Sequence, residues 1–138
     1  MIFKRLRKET ELQFFIHALK LQKEITIYVM KEKFLPKKWR YMLGQDLINK
    51  ANELVDNLAA ANNIYPKTEN DLNTRRHYQN RALTNYDQIA YKLNNMVECV
   101  QTVTVDSLKN IIEVESMGYI TLKRWRDKDT IKADIKTK

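Results

Sequence analysis

Glycine and proline are scarce, with two of each in 138 residues. A sheet protein of this length needs many tight turns, and turns draw on both residues for their special φ values. Long helices with few joints are therefore expected. Cysteine occurs once, at Cys99, which excludes an internal disulfide and a thiolate metal cluster. Its position on an apolar helical stretch predicts a small buried hydrophobe. No apolar run approaches the roughly 18 residues of a membrane-crossing helix, and residues 1–7 lack the apolar centre of a signal peptide. A soluble cytoplasmic protein that engages no membrane is the expectation.

Catalytic motifs are missing as well. The two histidines, His17 and His77, fall on different predicted helices, and the two serines are Ser107 and Ser116. None has the spacing of a nucleophile and its base. Two glycines cannot build a phosphate-cradling loop. Glu113 and Glu115 lie about 200° apart around a helix, so they diverge and cannot act as a paired acid and base. The Glu-x-x-His motif of di-metal bundles does not occur. The expectation is a protein that is not an enzyme, with no catalytic residue, no cofactor and no metal.

What the chain does have is apolar periodicity in four segments. The first, about 10–33, carries Phe14, Ala18, Leu21, Ile25 and Tyr28 at helical spacing, and a shorter stripe of Leu12, Phe15, Ile16 and Leu19 nearly opposite. One stripe can face a core; the other needs a neighbouring subunit or the chain's own N-terminal arm. The second segment, about 36–63, places Leu47, Ile48, Ala51, Leu54, Val55 and Leu58 on one face, with Gly44 inside it at a cost of about 1 kcal/mol relative to alanine. A close helix crossing is the expected reason.

Thr68 followed by Asp71 predicts the cap of a third helix. That helix presents Ala82, Tyr86, Ile89, Ala90, Leu93, Met96, Val97 and Val100. Continued toward its start, the stripe meets Arg75, Tyr78 and Gln79, so the core there thins or turns polar. Thr104 is the expected cap of a fourth helix, which aligns Val105, Leu108, Ile111, Ile112, Tyr119 and Leu122 up to about Trp125.

Short connections between four helices predict an all-α, antiparallel up-down-up-down four-helix bundle, and the doubled face of the first helix predicts a homo-oligomer. The division is a basic N-terminal arm at 1–9, the bundle at 10–127 and a charged, solvated or frayed tail at 128–138.

The formal charge of +8 is uneven. Residues 1–40 hold 11 Lys and Arg against 4 Asp and Glu, residues 41–102 hold 6 against 7, and residues 103–138 hold 8 against 6. A localised basic excess attracts polyanions, nucleic acid first. Up-down topology gathers Lys4, Arg5, Arg7, Lys8 and Lys67 at one end with Arg75, Arg76, Lys123, Arg124 and Arg126. Tyr65, Tyr78 and Trp125 are interleaved there and can stack on bases. The opposite end holds Lys37, Lys38 and Arg40 as weaker candidates, since cations suit a helix C-terminus without any ligand. Trp39 and Tyr41 are expected to lid the core.

The joint between the first two helices, Phe34, Pro36-Lys37, Arg40-Tyr41 and Leu43-Gly44-Gln45, together with Trp125 near the end of the last helix, resembles a family of small four-helix-bundle proteins. The family comprises the accessory variability determinant of diversity-generating retroelements and the intervening-sequence proteins encoded within large ribosomal RNA genes. Where the family usually has a glycine pair before that tryptophan, this chain has Lys123-Arg124.

The resemblance implies a homopentamer that holds RNA or complementary DNA beside a reverse transcriptase. From the residues themselves two readings stand: a non-enzymatic scaffold that binds RNA or DNA through its basic end, or a helical adaptor whose basic ends dock an acidic protein partner.

Overall fold

The computed structural model describes residues 12–132. Lys4, Arg5, Arg7 and Lys8, the rest of the expected N-terminal arm, and positions 133–138 of the expected tail lie outside the described residues. The described chain is helical, with no strand. Helix α1 spans Gln13–Val29. A short helix α2, Lys37–Trp39, passes through a π-helical turn at Arg40–Gly44 into α3, Gln45–Asn62. Helix α4 spans Glu69–Cys99, and a 3-10 turn at Asp106–Leu108 leads into α5, Lys109–Lys128.

Helix α1 ends four residues earlier than its charge and apolar pattern suggest, because the next residues are used for packing. The N–H groups of Phe34 and Leu35 both donate to the Lys31 carbonyl, at 3.1 and 3.0 Å, and close a turn. Phe34 stacks on Tyr28 at 4.7 Å, and Leu35 is fully buried. The Arg40 guanidinium donates to the carbonyls of Val29 and Met30, at 3.2 and 3.4 Å, which satisfies acceptors that a helix end leaves without partners. Pro36 stands just outside the next helix in an extended conformation (φ −54°, ψ 151°).

The other two starts follow the sequence closely. At α4, the Asp71 N–H donates to Thr68 Oγ1 at 3.1 Å and the Thr68 N–H to Asp71 Oδ2 at 3.2 Å, forming a capping box. Before α5 the same exchange joins Thr104 and Ser107, each N–H donating to the other's hydroxyl at 3.1 Å.

The core is built from Phe14, Ala18, Leu21, Ile25 and Tyr28 of α1, from Leu47, Ala51, Leu54 and Leu58 of α3, and from Ala82, Tyr86, Ile89, Leu93 and Met96 of α4. Each fully buried Leu or Ile contributes about 1.5–3 kcal/mol of transfer free energy. Ile48, Val55 and Val97 are only partly buried, and Ala90 is exposed.

Leu108, Ile111 and Leu122 of the expected last stripe are buried, and Val114 and Gly118 join them on the inward face of α5. Val105 and Ile112 are left exposed and Tyr119 half-buried. The bare backbone of Gly118 receives Tyr86 on this side of α5. Cys99 is exposed rather than buried, since on helical spacing it lies about 80° off the line midway between Met96 and Val100, and its thiol donates to Asn95 Oδ1 at 3.5 Å. Tyr41 is 74% exposed and does not lid the core, whereas Trp39 packs against it.

The helices meet at specific pairs. Helix α1 meets α5 at Phe14 and Trp125, whose rings stack at 3.8 Å, and at His17 and Thr121 (3.3 Å), and it meets the 3-10 turn before α5 at Tyr28 and Ser107 (2.7 Å). Helix α3 meets α4 through the Asp46–Lys92 ion pair and through Asn57, whose amide donates to Asn85 at 2.7 Å. Gln22 of α1 donates to Asn52 of α3 at 2.9 Å, and Arg126 of α5 donates to Asn80 of α4 at 3.0 Å. Leu12, Phe15, Ile16 and Leu19, the second stripe of α1, are half-buried.

Candidate nucleic-acid interface

The stripe of α4 turns polar at its start, and the structure shows what that polarity holds. Arg75 and Gln79 occupy core positions in which Arg75 is 6% exposed and Gln79 fully buried. A guanidinium in that setting requires a carboxylate, because an unpaired buried charge is strongly destabilising. Asp129, just past the end of α5, supplies it. Its Oδ2 lies 2.8 Å from Arg75 Nε, off the line of the N–H, so the contact is an ion pair rather than a directed hydrogen bond. The same oxygen accepts from Gln79 Nε2 at 3.1 Å.

Arg75 is fixed from two further directions: its Nη1 donates to the Ile64 carbonyl at 2.9 Å, and its guanidinium lies over the Trp125 ring at 4.7 Å. Burial lowers the Arg75 pKa and the Asp129 charge raises it again.

These contacts correct two expectations. Within the expected solvated or frayed tail, Lys128, Thr130, Ile131 and Lys132 are exposed, but Lys128 completes α5, Asp129 is buried, and the Lys132 N–H donates to the Pro66 carbonyl at 2.8 Å. Trp125 is not free to stack on a base either, since Phe14 and Arg75 both cover its ring. Sequence periodicity did not reach Asp129 because it follows the last helical turn. The only available signal was the arginine on an otherwise apolar stripe, which demanded a partner without naming it.

Around this polar plug the structure brings together the start of α1, the 63–68 joint and the end of α5. Arg76 is half-buried and donates to the Asp129 carbonyl at 3.3 Å. Arg126 bonds Asn80 and forms an ion pair with its neighbour Asp127 at 3.1 Å. Lys67, Lys123, Arg124, Lys128 and Lys132 are exposed and form no ion pair among the described residues. Lys123, Arg124 and Lys128 border a shallow depression with Tyr119, Ile120 and Asp127. Tyr65 is exposed and Tyr78 half-buried, set edge-on to His77 at 5.4 Å.

Lys37, Lys38 and Arg40 lie apart from this group, beyond the far end of α1, and the fifteen-residue step from Phe14 to Val29 spans about 23 Å. There Arg40 caps α1, and the Lys38 ammonium sits over the Trp39 ring at 5.5 Å.

Two other polar sites have structural surroundings. His17 bonds Thr121, and burial, with the nearby Lys20 charge, lowers its pKa. Glu115 is raised by burial first and by the Asp87 charge second. No group of three or more potential metal ligands occurs among the described residues, and no described helix is long and apolar enough to cross a membrane. No family model, curated protein or solved structure matches the chain.

Proposed function

We propose that this chain is a non-enzymatic nucleic-acid-binding scaffold, built as an antiparallel up-down-up-down four-helix bundle that self-associates. Support for the topology comes from the order of the pairs. Partner numbers fall along α5 and the turn before it as they rise on α1, from Phe14 with Trp125 to Tyr28 with Ser107, and they fall on α4 as they rise on α3.

The observation that carries the binding function is the set of exposed cations, Lys67, Lys123, Arg124, Lys128 and Lys132, unpaired among the described residues around one end. Cations held this way neutralise phosphates and release counterions with little sequence preference. The resemblance extends the reading to RNA or complementary DNA presented to a reverse transcriptase by a homopentamer. The second stripe of α1 is half-buried, Leu12 and Phe15 against the chain's own core, and its uncovered part is the surface offered for self-association; light scattering that returns the monomer mass at micromolar concentration would reject it.

Binding to a labelled oligonucleotide across a salt series tests the main claim. With about five phosphates neutralised, log K falls against log salt with a slope of about −3.5 on single strands or −4.5 on duplex DNA. Reversing Lys123, Arg124 and Lys128 to glutamate flattens the slope; reversing Lys37 and Lys38 does less. Absence of binding at low salt overturns the reading.

The second reading, an adaptor for an acidic protein, is favoured by one feature at the other end. Met30, Tyr41 and Met42 are exposed beside Lys31, Lys37 and Lys38, a mixture of apolar and cationic side chains suited to a protein surface. Capture of an acidic protein, abolished by Tyr41→Asp and insensitive to nuclease, would favour it.

A further inference from the structure

The Arg75 site has the construction of a receptor whose occupant happens to belong to the same chain. Its donors are rigid: Arg75 is held by the Ile64 carbonyl and the Trp125 ring, and Gln79 is enclosed on α4. Its occupant is weakly held by comparison. Asp129 follows the last turn of α5, and the backbone bonds on either side of it are long, its N–H to the Arg126 carbonyl and its carbonyl to Arg76, both at 3.3 Å. Beyond it Thr130, Ile131 and Lys132 are exposed, and the Lys132 bond to Pro66 is the remaining backbone tie. The segment's one apolar side chain, Ile131, is 49% exposed.

We propose that Arg75 and Gln79 form a carboxylate-binding site closed in cis by Asp129, with segment 129–132 acting as a strap that lifts to admit a carboxylate from outside. The receptor's chemistry specifies the ligand. The Arg75 guanidinium and one Gln79 amide N–H converge on a single oxygen in a dry setting, the first as an ion pair and the second as a hydrogen bond, and suit the carboxylate of a small acid or an acidic peptide. Closure by the chain itself has an intramolecular advantage in effective concentration, so an external ligand competes poorly while Asp129 is present. This inference does not depend on the nucleic-acid reading, because a single carboxylate inside the fold and phosphates on the exposed surface are different ligands.

The test is chemical rescue of the full-length Asp129→Ala protein. Thermal melts are recorded in sodium acetate, formate, phosphate and chloride at equal ionic strength. The variant is expected to melt below wild type in chloride and to recover saturably in acetate or formate. At a hundredfold excess over its dissociation constant the ligand raises the folded-to-unfolded ratio about hundredfold. Wild type is expected to show no such response, and an added Arg75→Leu substitution to abolish it. Equal melting of the variant in acetate and chloride overturns the proposal, as does recovery that survives loss of Arg75 or recovery by phosphate alone. Should Asp129→Ala not fold in chloride, refolding yield in acetate against chloride gives the same decision.

Discussion

Tyr86 fills the space that Gly118 leaves open: a β-carbon at position 118 would collide with the Tyr86 hydroxyl and lie 2.8 Å from Cζ. The ring is fully buried, edge-on to Tyr119 at 6.2 Å, and its hydroxyl has no hydrogen-bond partner. Burial, and after it the Glu115 charge, raise the phenol's pKa well above its usual range. One helix crossing thus combines a tight steric fit with an unsatisfied polar atom.

Two substitutions at this crossing should act in opposite directions. Removing an unpartnered buried hydroxyl relieves a desolvation penalty of about 1–3 kcal/mol, so Tyr86→Phe should be neutral or stabilising. Gly118→Ala should cost about 1–3 kcal/mol through overpacking. Their coupling is the decisive measurement: in denaturant melts the alanine should cost less in the Tyr86→Phe background, and strict additivity would refute the contact.

Gly44→Ala sets two known effects against each other. Alanine gains about 1 kcal/mol in helix propensity, but its β-carbon would lie 2.6 Å from Val29 Cγ1 and 2.9 Å from Leu35 Cδ2. Overpacking of about 1–3 kcal/mol outweighs the gain, so net destabilisation is expected. Val29→Ala should absorb part of the clash, making the double variant more stable than the sum of the single changes.

Leu54 is fully buried in the middle of α3. Leu54→Asp places an unpaired carboxylate there at a cost of several kcal/mol, against a total stability of about 5–15 kcal/mol. Loss of cooperative melting by circular dichroism is the expected result, and a sharp native-like transition would contradict the placement of this face.

Glu115 supplies a pH dependence of defined sign. Its folded pKa is raised above the ordinary 4.5, by burial first and Asp87 second. The stability it contributes is therefore complete below about pH 4.5 and lost as pH rises through the folded value. Glu115→Gln should stabilise the protein at pH 7, and the difference from wild type should vanish below pH 4. A difference that stays constant across this range would assign the effect to packing.

His17 shifts in the opposite sense. With a folded pKa lowered from 6.5 by burial and Lys20, it contributes stability above about pH 6.5 that is lost as pH falls through the folded value. His17→Gln should remove that component of the pH profile measured by thermal melts between pH 5 and 7.5.

Helix content, the two capped starts and most of the core were determined by the sequence, because apolar period and capping chemistry are local properties. Phe14 to Tyr28 and Leu47 to Leu58 could be read as buried faces from spacing alone, and Thr68 with Asp71 from their separation. The last face could be read only in part: Leu108, Ile111 and Leu122 are buried as their spacing suggests, whereas the inward turn of Val114 and Gly118 goes with the tertiary fit of Tyr86 against Gly118.

The candidate interface divides in the same way. Lys123 and Arg124 were legible as exposed cations, whereas Arg75 was withdrawn from the surface by Asp129, a residue 54 positions away in the chain. Charge counts register a cation but not its partner. Pairing is decided by which carboxylate the fold brings within reach, and burial then makes that choice energetically large.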